Sequence, residues 1–198
     1  MRGIALLAMA LLSTSCRRVD EARWSEEVML HDGRIVQVQR RATRASSDFP
    51  NPGRGTLGEN ELAYEPMGVR WHNAPRSPDW LLSFDIFDGT PYLAIRGAGW
   101  EYCRDHGPES YDLTLLKWVD GKWERIPEAQ FPLEKVTQNI SMRYWGQTQE
   151  KDARGGMTWQ MKIDKDYYGR GGPEPLVDWV TRRRQKCGQT LPHLFKDK

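Results

Sequence analysis

The sequence predicts a mainly β protein, in which antiparallel hairpins form a sandwich or a partly closed barrel with one or two short helices beside it. Asp-Gly pairs stand between strand-like runs at three places, Asp32-Gly33, Asp88-Gly89 and Asp120-Gly121. Such pairs readily adopt the positive φ angles that a type I′ hairpin turn requires. Apolar and polar residues alternate beside these turns, as from Ile35 to Val38, and helical patterns are confined to two short segments.

The predicted strands follow one another along the chain. The three hairpins join 27–31 to 34–38, 81–87 to 90–95 and 113–119 to 122–126. Pro91 predicts that the return strand of the second hairpin is an edge strand or starts late. Trp118 and Trp123 flank the third turn symmetrically, so we expect them to pair across it. A smaller hairpin is predicted from 61–64 to 69–71, and a separate strand at 157–163, where Met157, Trp159, Met161 and Ile163 alternate with polar residues.

Two segments predict helices. Leu133, Val136 and Ile140 have helical spacing, with Pro132 in the first turn. The segment 173–186 predicts a helix near the C-terminus, because it has an apolar side, a basic last turn and Gly188 after it as a stop. The segments 45–59 and 146–156 are predicted to be loops.

The first residues have the pattern of an export signal. Met1 and Arg2 precede an apolar run at 4–12, and the small residues Ser13-Thr14-Ser15 lead to Cys16. The run is too short for a stable transmembrane helix, which needs about 20 apolar residues. The alternatives at this point are a lipoprotein signal and an ordinary cleaved signal with an incidental cysteine.

The cysteine after the small residues resembles the lipobox of bacterial lipoproteins, although Ser13 stands where that family usually has leucine. The resemblance implies that Cys16 is lipidated with acyl chains such as palmitate and becomes the first mature residue. Because Arg17 is not the aspartate of the inner-membrane retention pattern, it also implies an outer-membrane anchor facing the periplasm. The predicted organisation is a signal peptide at 1–15, a tether at 16–23 and one β-rich domain at 24–198.

The segment 24–34, with the sequence WSEEVMLHDGR, resembles the first hairpin of a group of uncharacterised proteobacterial proteins, many of them small lipoproteins. That resemblance implies a location and a fold, and it implies no catalytic residue.

The chain has three cysteines. If lipid occupies Cys16, then Cys103 and Cys187 are left in an oxidising compartment, where a disulfide between them would persist. Such a bridge would close a loop of about 80 residues and contribute roughly 4 kcal/mol. The alternative is two buried free thiols. Two cysteines with scattered histidines do not form a zinc site, so no metal or cofactor is predicted.

Catalytic chemistry has little support in the sequence. A Cys–His hydrolase would use Cys103 and His106, but a disulfide explains Cys103 better. Glu26, Glu27 and Asp85 could be imagined as the paired acids of a glycosidase, and surface charge is the preferred explanation. The formal net charge of +2 lacks the basic excess of a dedicated nucleic-acid binder.

Two groups of residues are candidate interaction surfaces. An exposed tryptophan could stack on a sugar ring, and Trp100 and Trp145 are the candidates, although tryptophan serves more often as core. The densest basic run contains Arg182, Arg183, Arg184 and Lys186 and could contact an anionic lipid or a partner; a solvated helix end is the alternative.

The leading functional hypothesis is therefore a non-enzymatic envelope lipoprotein whose domain binds another envelope protein. The alternatives are a glycan-binding module that uses exposed tryptophan, and an envelope enzyme without a readable motif.

Overall fold

The computed structural model describes residues 19–45, 56–73, 80–97, 113–141, 156–164 and 173–184. Eight strands form two antiparallel sheets of four. The first sheet has the order β1 (Val19–Met29), β2 (Ile35–Ala45), β3 (Thr56–Tyr64) and β4 (Val69–His72). The second sheet has the order β5 (Trp80–Phe87), β6 (Thr90–Arg96), β7 (Leu113–Val119) and β8 (Lys122–Arg125). The mainly β fold class is confirmed, and the two sheets do not close into a barrel.

Helical structure in the described residues is sparse. Short 3-10 turns occupy Glu65–Met67 and Glu128–Gln130, helix α1 spans Trp159–Asp164, and helix α2 spans 176–184. The helix predicted near the C-terminus is therefore confirmed over 176–184. Arg182 and Arg184 lie in its last turn, where positive charge favours the negative end of the helix dipole.

Two of the three Asp-Gly turns have the predicted type I′ geometry. Asp88 and Gly89 have φ angles of 49° and 74°, and Asp120 and Gly121 have 49° and 82°. The first turn differs, because only Gly33, at 83°, has a positive φ. It is a three-residue loop, in which the N–H of Gly33 donates to the C=O of Leu30 at 3.0 Å. The carboxylate of Asp32 accepts the N–H of Arg34 at 3.0 Å, so it is occupied within the turn.

A shared hydrophobic core lies between the two sheets. The first sheet and its turn contribute Val28, Leu30, Val38, Leu62, Val69 and Trp71, and the second sheet contributes Leu81, Phe84, Ile86, Leu93, Ile95 and Leu116. The rings of Tyr64 and Phe84 are 5.5 Å apart across this core. Trp118 and Trp123 pair in register across the third turn, with ring centroids 5.1 Å apart, as predicted.

Helix α2 packs on the other face of the second sheet. Leu176, Trp179 and Val180 of the helix join Leu82 and Leu115 of the sheet in a second cluster of buried residues. The second sheet is thus covered on both faces. By contrast, the outward face of the first sheet carries charged side chains, where Arg41 contacts Glu21, Glu59 and Glu61.

Two predictions of secondary structure are wrong. Residues 157–163 do not form a strand, because the hydroxyl of Thr158 accepts the N–H of Met161 at 3.1 Å and begins helix α1. The segment with Leu133, Val136 and Ile140 is not a helix. It makes one turn, in which the N–H of Val136 reaches the C=O of Pro132 at 3.2 Å, and then runs extended beside the edge of β5.

Three boundaries also differ from prediction. Strand β6 lies between β5 and β7 and is not an edge; its pairing with β7 begins at Tyr92, one residue after Pro91. Strand β3 begins at Thr56, inside the predicted loop 45–59. Strand β1 begins at Val19, inside the predicted tether 16–23, because β2 is long enough to pair with it throughout.

Asn139 joins the two sheets where the edges of β1 and β5 meet. Its side-chain oxygen accepts the N–H of Phe84 at 2.9 Å, and its side-chain nitrogen donates to the C=O of Phe84 at 2.8 Å and to the C=O of Met29 at 2.9 Å. Its backbone N–H donates to the C=O of Leu82 at 3.2 Å. One fully buried amide therefore satisfies backbone groups on both edges.

The change Asn139→Ala should lower the free energy of unfolding by about 2–4 kcal/mol, because two buried backbone groups and one partly buried group would lose their partner. Urea denaturation of the purified protein measures this loss. The matched control is Gln130→Ala, at an exposed amide, which should change stability by less than about 0.5 kcal/mol. Equal effects of the two substitutions would mean that Asn139 does not join the sheets.

Candidate functional site

The densest buried polar cluster that the structure describes surrounds the carboxylate of Glu26. Oε2 accepts Nη1 of Arg40 at 3.0 Å, the hydroxyl of Ser141 at 3.1 Å and Nε1 of Trp24 at 3.2 Å. Oε1 accepts the N–H of Ser141 at 2.7 Å and Nζ of Lys162 at 3.2 Å. We call Glu26, Arg40 and Lys162 the buried charge cluster.

Strand geometry places Glu26 inside the sandwich. Side chains alternate along β1, so that Trp24, Glu26 and Val28 face inward while Ser25 and Glu27 face out. Arg40 lies opposite Trp24 on β2, and its guanidinium lies 5.1 Å from the centroid of the indole ring. Arg40 also donates to the side chain of Asn60 on β3 at 3.0 Å. Three adjacent strands thus contribute to one polar end of the inner face.

Helix α1 supplies the second cation. Lys162 is fully buried, and its ammonium donates to Glu26 and to the backbone C=O groups of Glu27 and Asn139. The indole of Trp159 lies 5.1 Å from Nζ. Just before the helix, Met157 forms a parallel bridge with Glu26, and the N–H of Trp159 donates to the carboxylate of Glu27 at 2.9 Å. The short helix therefore buries its lysine and leaves Ile163 42% exposed.

The electrostatics of the buried charge cluster favour an ionised Glu26. Desolvation by burial acts to raise the pKa of Glu26, but the charges of Lys162 and Arg40 outweigh it, and the pKa is lowered. Burial lowers the pKa of Lys162, and Glu26 partly offsets this change. Glu26 and Lys162 are both fully buried, and the Glu26 carboxylate is filled by protein donors. This arrangement ties α1 to β1.

A second pair of ionisable groups, His31 and Asp85, lies where the first turn meets the end of β5. Asp85 is 1% exposed; one carboxylate oxygen lies 2.8 Å from Nδ1 of His31, and the other accepts the backbone N–H of His31 at 3.0 Å. The imidazole stacks on Phe87 with ring centroids 3.8 Å apart. Burial raises the pKa of Asp85, and its bonds to His31 and Ile86 act in the other direction.

The His31–Asp85 pair fixes the first turn against the second sheet. A buried carboxylate that orients an imidazole is also a component of general-base sites. Such a site needs a nucleophile or a metal as well. In the part of the chain that the structure describes, no hydroxyl or thiol bonds to His31, and no three His, Cys, Asp or Glu side chains are grouped to hold a metal.

The interpretation of Glu26, Glu27 and Asp85 as surface charge is wrong for Glu26 and Asp85. Both are buried, whereas Glu27 is half-buried on the outward face and binds the start of α1. The alternation of Trp24, Val28 and Leu30 around Glu26 is the signal that predicts an inward carboxylate. The roles of Lys162 and Asn139 have no such signal, because both depend on contacts between distant segments.

The predicted basic run lies partly in helix α2. Arg182 forms an ion pair with Glu174, Arg184 forms one with Glu128, and Arg183 lies 5.0 Å over the ring of Trp179. These three arginines thus have contacts within the chain, and Arg182 and Arg184 are exposed, which favours the alternative of a solvated helix end. Lys186 lies outside the described residues.

The described tryptophans are mostly packed. Trp24, Trp71 and Trp179 are buried, Trp118 pairs with Trp123, and Trp159 lies beneath Lys162. Several predicted site residues lie outside the described ranges: Cys16, Cys103, Cys187, Trp100, Trp145 and His106. The lipidation, the disulfide and the sugar-stacking surface therefore stay predictions.

Comparisons with known proteins found no matching family model, no matching curated protein and no matching solved structure. Within the described ranges, no helix is long and apolar enough to cross a membrane.

Substitutions that remove charges from the buried charge cluster should lower the free energy of unfolding strongly, and their effects should not add. Glu26→Gln should lower the free energy of unfolding by about 3–5 kcal/mol, because Lys162 and Arg40 are left buried without a counter-charge. Lys162→Met should lower it by about 2–4 kcal/mol, because Glu26 keeps Arg40 but the C=O groups of Glu27 and Asn139 lose their donor. The double variant should lose clearly less than the sum of the two, because both members of one pair are then gone. Chemical denaturation of the four proteins measures this coupling.

The exposed Lys135→Met is the matched control, and it should stay within about 0.5 kcal/mol of the parent protein. Additive losses in the cycle would show that Lys162 and Glu26 do not act as a pair.

Proposed function

We propose that this protein is a lipid-anchored domain of the bacterial cell envelope that binds another envelope protein and catalyses no reaction. The observation that carries the proposal is the saturation of the buried charge cluster. Its carboxylate receives five protein donors, and the side chains of both Glu26 and Lys162 are fully buried. The strongest gathering of acids and bases in the described residues thus serves packing.

The position at which β1 begins bears on which end of the domain would lie at the membrane. If Cys16 carries the lipid, only Arg17 and Arg18 separate it from Val19, the first residue of the strand. An extended chain spans at most about 3.6 Å per residue, so the strand would begin within roughly 11 Å of the lipidated cysteine. The end of the first sheet that holds Val19 would then face the membrane.

The opposite end of the sandwich would face the periplasm. Strand β1 runs away from Val19, and the contact of His31 with Asp85 places the end of β5 beside the end of β1. The described tight turns gather there: 30–34, 65–68, 88–89 and 120–121. Ile35 and Met67, which are 52% and 36% exposed, lie at this end. Large exposed apolar side chains are typical of protein contact surfaces, so we place the partner here.

If Cys16 carries a lipid anchor, labelled palmitate should be incorporated into the protein, and the protein should be recovered in the membrane fraction. Cys16→Ser should abolish both, because the thiol that accepts the lipid is lost, while Cys103→Ser should keep both. The measurement is metabolic labelling followed by immunoprecipitation and membrane fractionation. Equal labelling of the Cys16→Ser variant and the parent protein would refute the anchor and leave the fold unaffected.

If another envelope protein binds at the turn end, the yield of cross-linking in intact cells should depend on where the photoreactive residue is placed. A photoreactive phenylalanine analogue at Ile35 or Met67 should give an adduct with a second envelope protein, identified by mass spectrometry. The same analogue at Gln39, exposed in the middle of the outward face of the first sheet, should give much less. Equal adducts at all three positions, or none at native expression, would count against a partner at the turn end.

A further inference from the structure

The two sheets end in four edge strands, β1, β4, β5 and β8. The edges of β1 and β5 are closed where they meet, because Met157 and Asn139 bond to their backbone groups. The edge of β4 is closed at Arg70, whose C=O accepts Nε1 of Trp123 at 2.8 Å. An unpaired edge is a template for another strand, and covering it is one way in which proteins prevent such pairing. The chain itself thus covers part of three edges.

The edge of β8 lacks such cover. The N–H of Ile126, the residue after β8, donates to the C=O of Leu115 in β7 at 2.9 Å. Because inward and outward groups alternate along a strand, residues 122 and 124 also bond to β7, and the backbone of Trp123 and Arg125 faces outward. In the part of the chain that the structure describes, no group bonds to the outward N–H or C=O of these two residues. Strand β8 therefore presents about four backbone groups to another strand.

This edge begins at the turn end of the sandwich. Lys122, the first residue of β8, directly follows the turn at 120–121. The bond from Trp123 to Arg70 places β8 beside β4, which follows the turn that exposes Met67. Among the described residues, β1 also lacks edge partners near its first residue, but that end would lie at the membrane. The edge of β8 is thus continuous with the surface on which we place the partner protein.

We infer that an extended segment of the partner protein adds to β8 as a fifth, antiparallel strand of the second sheet. This inference rests on the proposed function, from which it takes the partner. The backbone groups of a helix are used within the helix, whereas those of an extended segment can pair with the N–H and C=O groups of Trp123 and Arg125. In strand addition of this kind, the backbone supplies affinity and the side chains supply specificity.

The side chains of β8 define the charges that such a segment needs. Lys122 and Glu124 lie on the outward face of the second sheet, because Trp123 between them packs on the core. Their side chains reach solvent and form an ion pair at 3.0 Å. In the added ladder both would lie at non-hydrogen-bonded positions, where side chains come closest and opposite charges stabilise the pair. The partner segment should therefore carry an acidic residue opposite Lys122 and a basic residue opposite Glu124.

The partner residue between these two would lie opposite Trp123. It would contact the indole, which is half-buried against the core, so an apolar residue gains most at this position. The segment is thus acidic, apolar and basic at three consecutive positions. Charged side chains and a short length protect an edge strand from indiscriminate pairing, so a segment with this pattern is the one that β8 selects.

Proline substitution tests the strand addition. The N–H of Arg125 faces away from β7, so Arg125→Pro removes an outward donor and leaves the bonds to β7 in place. The matched control is Arg125→Ala, which loses the same side chain and keeps the N–H. In intact cells, the photoreactive phenylalanine analogue at Met67 reports the bound partner. Arg125→Pro should lower the yield of its adduct about fivefold or more, whereas Arg125→Ala should leave it within about twofold.

A second variant keeps the test decisive if the proline unfolds the protein. The double exchange of Lys122→Glu with Glu124→Lys retains an ion pair within β8 but presents like charges to the partner segment at both positions. It should lower the yield of the Met67 adduct about fivefold or more. Thermal unfolding of the purified variants shows which of them keep the fold.

The results separate the strand addition from the proposed function. If the parent protein gives no adduct at Met67, both the partner and the strand addition are overturned. An adduct that survives Arg125→Pro in a folded protein would overturn the strand addition and leave the partner in place. Equal losses with Arg125→Pro and Arg125→Ala would also overturn it, because the side chain would then make the contact. If the proline variant is unfolded, an adduct unchanged by the double exchange overturns the strand addition, and its loss supports it.

Discussion

The structure depends on how the edges of β1 and β5 are satisfied where the two sheets meet. These strands lie close together without pairing, so their edge groups need other partners, and an unsatisfied buried group costs about 1–3 kcal/mol. The side-chain amide of Asn139 forms hydrogen bonds with both edges, and Met157 forms an isolated parallel bridge with β1. The sandwich is closed on this side by two segments far apart in the sequence, 139–141 and 157–162.

The buried charges follow from this arrangement. Lys162 donates to the C=O of Glu27 and of Asn139, so one ammonium links the segment at 139 to the edge of β1. A buried ammonium needs a counter-charge, and Glu26 provides it from the inward face of β1. The N–H and hydroxyl of Ser141 complete the shell of the carboxylate. Edge closure and charge burial are therefore parts of one set of contacts.

The sequence predicts local features well and this set of contacts poorly. Asp-Gly turns, strand alternation and the basic end of the helix at 176–184 are local patterns, and they predict the two sheets and the helix. Alternation misled at 157–163, because a threonine cap and a lysine directed at Glu26 outweigh a period of two. The position of Lys162 depends on a residue 136 positions away, which no local pattern reports.

The buried contacts also bear on where function can lie. A side chain whose bonds are all internal is fixed by folding, so binding a ligand there would first require those bonds to break. In the described residues this holds for Glu26, Lys162 and Asn139, which all lie where β1 meets β5. The partner surface proposed above lies away from these residues, at the turn end of the sandwich. There Ile35, the first residue of β2, is 52% exposed. The middle of β1 thus holds the sandwich together, and the proposed contact with another protein lies beyond the end of that strand.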